Sequence, residues 1–209
     1  MNLEFDLYFI TDRGLSLKPD VEVVADALTG GVSVVQYREK EYSTEKMVET
    51  ALMIKKLCSE KKCLFLVNDR IDVALACDAD GVHLGQDDLP CEIARRLLGP
   101  DKIIGITVRD VGEALDAWKA GADYLGVSPI YTTSTKLDAG EPGGLNLMRE
   151  VKSAVKIPCV GIGGINESNM IDVLKAGADG VCMISAVVSN EDVTETVKRV
   201  IRKIESTRT

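Results

Sequence analysis

The chain lacks several things that would place it at once. Its six cysteines, at positions 58, 63, 77, 91, 159 and 182, form no CxxC pair. Most sit inside apolar segments, so they read as small buried hydrophobes in a reducing compartment and argue against a disulfide framework. No apolar run approaches the ~18 residues that a membrane span needs. The first residues, Met-Asn-Leu-Glu-Phe-Asp-Leu, carry acid and no long apolar stretch, unlike a signal peptide, and the expectation is a cytoplasmic protein. Positive charge is also in deficit: 25 basic against 33 acidic residues leaves a net charge of −8. Such a surface gains nothing from nucleic acid or an anionic membrane, so small-molecule ligands are the expected partners. An anionic ligand must then find a local basic pocket. The sequence has a single histidine, His83, and no nucleophile–base pair stands out. His83 falls near the end of an apolar segment and reads as a pocket-lining or satisfied core residue rather than a catalyst. There is no linker, repeat array or low-complexity stretch, which favours a single domain over residues 1–209.

What is present alternates. Hydrophobic residues make up 45% of the chain, enough for a sizeable core. Eight short, continuously apolar segments, at 7–10, 32–36, 64–67, 81–84, 103–106, 124–127, 158–162 and 180–184, read as strands buried on both faces. Helical periods lie between them. Val111, Ala114, Leu115 and Trp118 share a face, behind Asp110 and Glu113 at capping-box spacing. Met47, Ala51, Ile54 and Cys58 do the same behind Ser43, and Val193, Val197, Val200, Ile201 and Ile204 behind Asn190. An internal echo marks the units: Ala120-Gly121-Ala122-Asp123, Ala176-Gly177-Ala178-Asp179 and, more loosely, Asp78-Ala79-Asp80. In each, a small residue ends a helix and a strand starts at once. Eight βα units predict a closed (β/α)8 TIM barrel over the open doubly wound sheet, whose GxGxxG fingerprint is missing from the first unit. The longest irregular segment, 129–144, suits a lid.

Barrel active sites lie at the C-terminal ends of the strands, which nominates the residues after each apolar segment. Arg38 and Lys40 follow the second, where an Arg fork and a Lys point charge grip phosphate oxygens; alternation sends both to one side and Glu39 to the other. Asn68-Asp69 and Asp87-Asp88 follow the third and fourth. Carboxylates on neighbouring strand ends can share a hard cation such as Mg²⁺, although Asp88 before Leu89-Pro90 also resembles a helix cap. Thr107 offers a hydroxyl after the fifth, and Lys136 stands in the lid segment. Gly161-Ile162-Gly163-Gly164 follows the seventh and Ile184-Ser185 the eighth, the usual phosphate-binding loops of barrels. Two anion sites at one mouth predict a transfer reaction with diphosphate leaving.

Residues 36–40, 68–69, 80–88, 126–136, 160–165 and 183–186 together resemble thiamine-phosphate synthase, in order and over essentially the whole chain. The resemblance implies a (β/α)8 barrel that couples a hydroxymethylpyrimidine diphosphate to a thiazole phosphate. It implies that Gln36, Arg38, Lys40, Asn68 and Lys136 hold the pyrimidine diphosphate, with Tyr37 and Glu39 of the same motif beside them. Arg38, Lys40, Lys136 and Thr107 are then the expected catalytic group, with Thr107 on the pyrimidine. Asp69 and Asp88 would bind Mg²⁺, and Thr133, Ser134, Thr135, Gly164, Ile184 and Ser185 the thiazole phosphate. The family often has Ser-x-His after strand five; here the residues are Thr107-Val108-Arg109. The related thiazole tautomerases lack the paired acidic motif and use that His, so both features favour the synthase. A non-catalytic phosphate-binding barrel would not require Asp69, Asp88 and Lys136. The sequence leaves the oligomeric state open, a homo-oligomer included.

Overall fold

The computed structural model describes residues 5–133, 135 and 140–207. Eight parallel strands close on themselves in chain order: β1 (Leu7–Ile10), β2 (Val34–Tyr37), β3 (Leu64–Asn68), β4 (Gly81–Leu84), β5 (Ile103–Val108), β6 (Tyr124–Val127), β7 (Cys159–Gly161) and β8 (Gly180–Met183). The ring is completed where Tyr8 of β1 pairs with Cys182 of β8. A helix follows each strand, and two follow the last: α1 (Asp20–Gly30), α2 (Thr44–Lys61), α3 (Ile71–Ala76), α4 (Cys91–Leu98), α5 (Val111–Lys119), α6 (Gly144–Ala154), α7 (Met170–Lys175), then α8 (Ser185–Val188) and α9 (Val193–Glu205). This is the expected (β/α)8 barrel.

Strand alternation splits the hydrophobic residues into two cores. Tyr8, Ile10, Val34, Leu66, Ile103, Tyr124, Val160 and Cys182 point inward and fill the barrel with Phe5. Their neighbours, among them Leu7, Phe9, Val35, Phe65, Val67, Val82 and Ile104, point outward against the helices. Both faces are buried, which is why the strands read as unbroken apolar runs. Each fully buried aliphatic side chain contributes about 1.5–3 kcal/mol, so the large outer core holds the helices to the barrel.

The sequence echo has a structural meaning. Asp123 accepts a hydrogen bond from the backbone N–H of Ile104 at 2.8 Å and pairs with Arg95 at 2.6 Å. Asp179 binds Cys159 N–H at 2.7 Å and Lys152 at 2.5 Å. Asp80 binds Phe65 N–H at 2.8 Å and Lys55 at 2.6 Å. Each aspartate caps the N-terminal end of the preceding strand and ties down a cation from the helix that leads into that preceding strand: Arg95 from α4, Lys152 from α6 and Lys55 from α2. Gly121 and Gly177 have φ of 92° and 105°, which lets the helix exit directly into that strand. All three aspartates lie at the opposite end of the barrel from the strand C-termini. Asp123→Ala is expected to cost about 1 kcal/mol, the net worth of the lost hydrogen bonds. Chemical denaturation should show that loss while kcat stays unchanged; a fall in kcat at constant stability would contradict this role.

Two helix starts differ from expectation. Asp110 does accept from Glu113 N–H at 2.8 Å, but the returning Glu113 carboxylate takes the N–H of Arg109 at 2.7 Å instead of closing the box on Asp110. The last helix is capped by Asp192, which accepts from Glu195 N–H at 2.9 Å. Asn190 instead donates to the carbonyl of Ala186 at 2.8 Å and finishes the short α8. The apolar stripe located the helix correctly, but two polar residues stood in front of it and only geometry separates their roles.

Candidate active site

A cavity of about 190 Å³ opens at the C-terminal ends of the strands. One wall carries Gln36 from β2, Arg38 and Lys40 beyond it, and Asn68 from β3. Arg38 is held from behind by Asp12, at 3.2 Å, while its backbone N–H donates to Thr11 Oγ1 at 2.9 Å. Lys40 makes a close ion pair with Asp69. Asp69 has a left-handed backbone, φ 49°, and its N–H is held by the carbonyl of His83 at 2.9 Å. That conformation turns the chain sharply after β3 and leaves the carboxylate against Lys40. Asp87 and Asp88 line the cavity beyond β4. Asp88 Oδ2 accepts from Gly85 N–H at 2.6 Å, so it ties its own loop; α4 starts later, behind Pro90, and Asp88 is not its cap.

The opposite wall comes from loops six, seven and eight. Thr133, Thr135, Gly163, Gly164, Ile184 and Ser185 all face the cavity. Two backbone bonds zip loop six to loop seven: Ile130 N–H to the carbonyl of Ile162 at 2.8 Å, and Tyr131 N–H to that of Gly163 at 3.0 Å. The approach is too close for side chains. A Cβ on Gly164, whose φ is 62°, would sit 2.5 Å from the carbonyl oxygen of Thr132. Glycine there exposes backbone N–H groups, which suits an anion.

The structure thus brings Gln36, Arg38, Lys40, Asn68, Asp88, Thr107, Thr133, Thr135, Gly164, Ile184 and Ser185 to one mouth, with Asp69 joined to it through Lys40. Ser134 and Lys136 lie outside the described residues. Tyr37 and Glu39 are corrections to the expectation. Both side chains are buried away from the cavity, because side chains alternate along an extended chain and theirs fall on the outer side. The Tyr37 hydroxyl sits in the outer core, where burial pushes its pKa up. Glu39 Oε1 accepts from the N–H groups of Lys40 and Glu41, at 2.7 and 2.6 Å, and so shapes the loop that presents Lys40. Its Oε2 lies 3.3 Å from Arg13, within ion-pair range but without hydrogen-bond alignment. Asp20 is buried beside this loop, and desolvation, with Glu39 nearby, raises its pKa to about 6. Arg70 is also spoken for: Asp72 at 2.5 Å and Thr44 at 2.8 Å hold it.

Several lining residues have no role in the sequence reading, although Gln86 belongs to the 80–88 motif. Gln86 donates to the carbonyl of Thr107 at 2.7 Å, and Ile10, Ser128 and Cys182 complete the floor. The alternation that placed Arg38 opposite Glu39 would have found Ile10 and Cys182, since both continue an inward-facing series. The donor set suits Mg²⁺ in kind, because Asp69 and Asp88 offer only hard carboxylate oxygens. Among the described residues no three His, Cys, Asp or Glu converge into a cage. An ion here would take part of its coordination from ligand oxygens, as Mg²⁺ commonly does.

The sequence profile of the family described as thiamine monophosphate synthase matches residues 7–187. The chain belongs to the thiamine monophosphate synthase family. A thiamine-phosphate synthase of Methanosarcina barkeri is 56% identical over 205 residues, covering 98% of this chain and 93% of its own. One from Chloroflexus aurantiacus is 50% identical, covering 94% and 91%. The solved thiamine phosphate pyrophosphorylase of Pyrococcus furiosus superposes with a TM-score of 0.92 at 44% identity, over 99% of this chain and 98% of that one. Membership in the synthase family makes the chain an enzyme, a transferase of thiamine biosynthesis. No helix among the described residues is long and apolar enough to cross a membrane.

Proposed function

We propose that this enzyme joins 4-amino-2-methyl-5-hydroxymethylpyrimidine diphosphate to a thiazole ethyl or carboxyethyl phosphate, giving thiamine phosphate and diphosphate. The observation that carries the reading is the pairing of two anion-binding walls across one cavity: Arg38, Lys40 and Asn68 on one side, the glycine loop and Ser185 on the other. A single phosphate monoester needs only one of them.

The chemistry asks little covalent work of the protein. The C–O bond between the pyrimidine methylene carbon and the diphosphate breaks, and the leaving group takes the electron pair. The thiazole nitrogen then donates its lone pair to that carbon and closes the C–N bond. Arg38 and Lys40 place positive charge where the leaving oxygens gain negative charge, which lowers the barrier because the donors are already oriented. Asp69 and Asp88 are the residues that would hold Mg²⁺, which would supply further neutralisation of diphosphate charge. Lys40, paired with Asp69 in the structure, would be the cation nearest that carboxylate to turn to the diphosphate. Lys136 joins the diphosphate site and Ser134 the thiazole phosphate site by the family resemblance, and Thr107 meets the pyrimidine.

The reading is tested by incubating the protein with Mg²⁺ and both phosphorylated halves. Thiamine phosphate should form, and omission of either half should abolish it. Binding of each half without product would instead favour a ligand-binding barrel.

A further inference from the structure

A chain of buried polar groups crosses the barrel beneath the cavity floor. Gln36 Nε2 donates to the hydroxyl of Tyr8 at 2.6 Å, and that hydroxyl lies 2.7 Å from the hydroxyl of Tyr124. Tyr124 lies 2.7 Å from Nδ1 of His83, whose Nε2 is 2.8 Å from Thr107 Oγ1. Both ends, Gln36 and Thr107, face the cavity. We propose that Tyr8, Tyr124 and His83 are positioning residues that couple the two ends, so that Gln36 presents an acceptor when Thr107 presents a donor. The proposal rests on the reading that the pyrimidine meets Gln36 and Thr107.

The coupling follows from counting hydrogens. A tyrosine hydroxyl has one hydrogen, and a neutral imidazole has one donor and one acceptor nitrogen. With the Gln36 amide nitrogen donating, Tyr8 must give its hydrogen to Tyr124, and Tyr124 must give its own to Nδ1 of His83. The proton of His83 then sits on Nε2 and is donated to Thr107 Oγ1. Thr107 keeps its own hydrogen for the cavity, and Gln36 keeps its carbonyl oxygen. Burial drives both tyrosine pKa values upward, so both hydroxyls stay protonated and able to donate. Reversing one link reverses them all. Chains of this kind polarise their members in a low-dielectric interior.

The sequence makes room for the relay. A Cβ on Gly105 would stand 2.0 Å from the Tyr124 ring, and one on Gly126 would stand 3.0 Å from Cε1 of His83. The chemistry selected is an aminopyrimidine: its exocyclic amine donates to Gln36 and its ring nitrogen accepts from Thr107. The corresponding oxo-pyrimidine presents a carbonyl and a ring N–H, the inverse pattern, and mismatches both ends.

Because His83 is the only histidine, ¹⁵N-histidine NMR reads the relay at one residue. In the wild type at pH 8 the proton should be on Nε2. In Tyr124→Phe the imidazole should populate both tautomers. The kcat/KM for the aminopyrimidine diphosphate should fall about tenfold, the worth of one net hydrogen bond, and discrimination against the oxo analogue should fall by a similar factor. The KM for the thiazole phosphate should not change, whereas general loosening of the fold would move it. Tyr8→Phe uncouples Gln36 and should show the same loss of discrimination, which keeps the test open if Tyr124→Phe does not fold. A proton on Nδ1 in the wild type, or unchanged discrimination in the variants, overturns the proposal. The expected tautomers in a protein that makes no thiamine phosphate would uphold the relay and overturn the reaction assigned above.

Discussion

Asp69→Asn is expected to lower kcat by ~10²–10³-fold, a loss typical of removing one group that stabilises charge in the transition state. Asparagine is the informative replacement here. Residue 69 has φ of 49°, a conformation that Asn and Asp tolerate but alanine does not favour. Asn therefore keeps the turn after β3 and removes only the negative charge. The side chain is largely buried, and its carboxylate neutralises Lys40. Without that charge Lys40 remains free to grip diphosphate, so KM for the pyrimidine diphosphate should change little. The effect should appear in kcat and in the Mg²⁺ concentration needed for half-maximal rate. Steady-state kinetics at varied Mg²⁺ measures both. An unchanged Mg²⁺ dependence with full kcat would remove Asp69 from the metal site.

Gly180→Ala is expected to be the most damaging methyl group that can be added to the barrel. The new Cβ would lie 1.5 Å from the carbonyl oxygen of Phe5. That neighbour is backbone, so no rotamer change relieves the clash. Gly180 opens β8, whose pairing with β1 closes the ring, and Val181 N–H bonds the carbonyl of Asp6 at 3.2 Å at the same place. Overpacking a core typically costs 1–3 kcal/mol, and a backbone clash belongs at about 3 kcal/mol or above. For a chain of this length that lowers Tm by roughly 6–12 °C, taking 2–4 °C per kcal/mol. Calorimetry on the variant measures it, and a Tm within about 2 °C of the wild type would show that the strands can part more easily than this packing allows.

Much of this was legible in the chain. Continuous apolar runs located all eight strands, and three of them, 7–10, 81–84 and 124–127, coincide with the observed bounds. The rule that barrel sites lie at strand C-termini, joined to the family resemblance, gathered most of the cavity. What escaped was of two kinds. Tyr37 and Glu39 were drawn into the site by adjacency within a motif, although the two-residue period that puts Arg38 and Lys40 together turns their neighbours away. The relay from Gln36 to Thr107 depends on contacts such as Tyr8 with Tyr124, 116 residues apart. No local pattern encodes which two inward-facing tyrosines will meet across a barrel. Asn190 and Asp192 show the same limit on a smaller scale, because either can cap a helix and tertiary packing chooses the start.

A single-turnover experiment goes straight to the reaction. The enzyme, in excess over the pyrimidine diphosphate, is mixed with Mg²⁺ and thiazole phosphate, and quenched samples are assayed for thiamine phosphate and diphosphate. Release of diphosphate matched one for one by thiamine phosphate is the predicted result. Diphosphate released without the coupled product, or neither species formed while both halves remain bound, would contradict it.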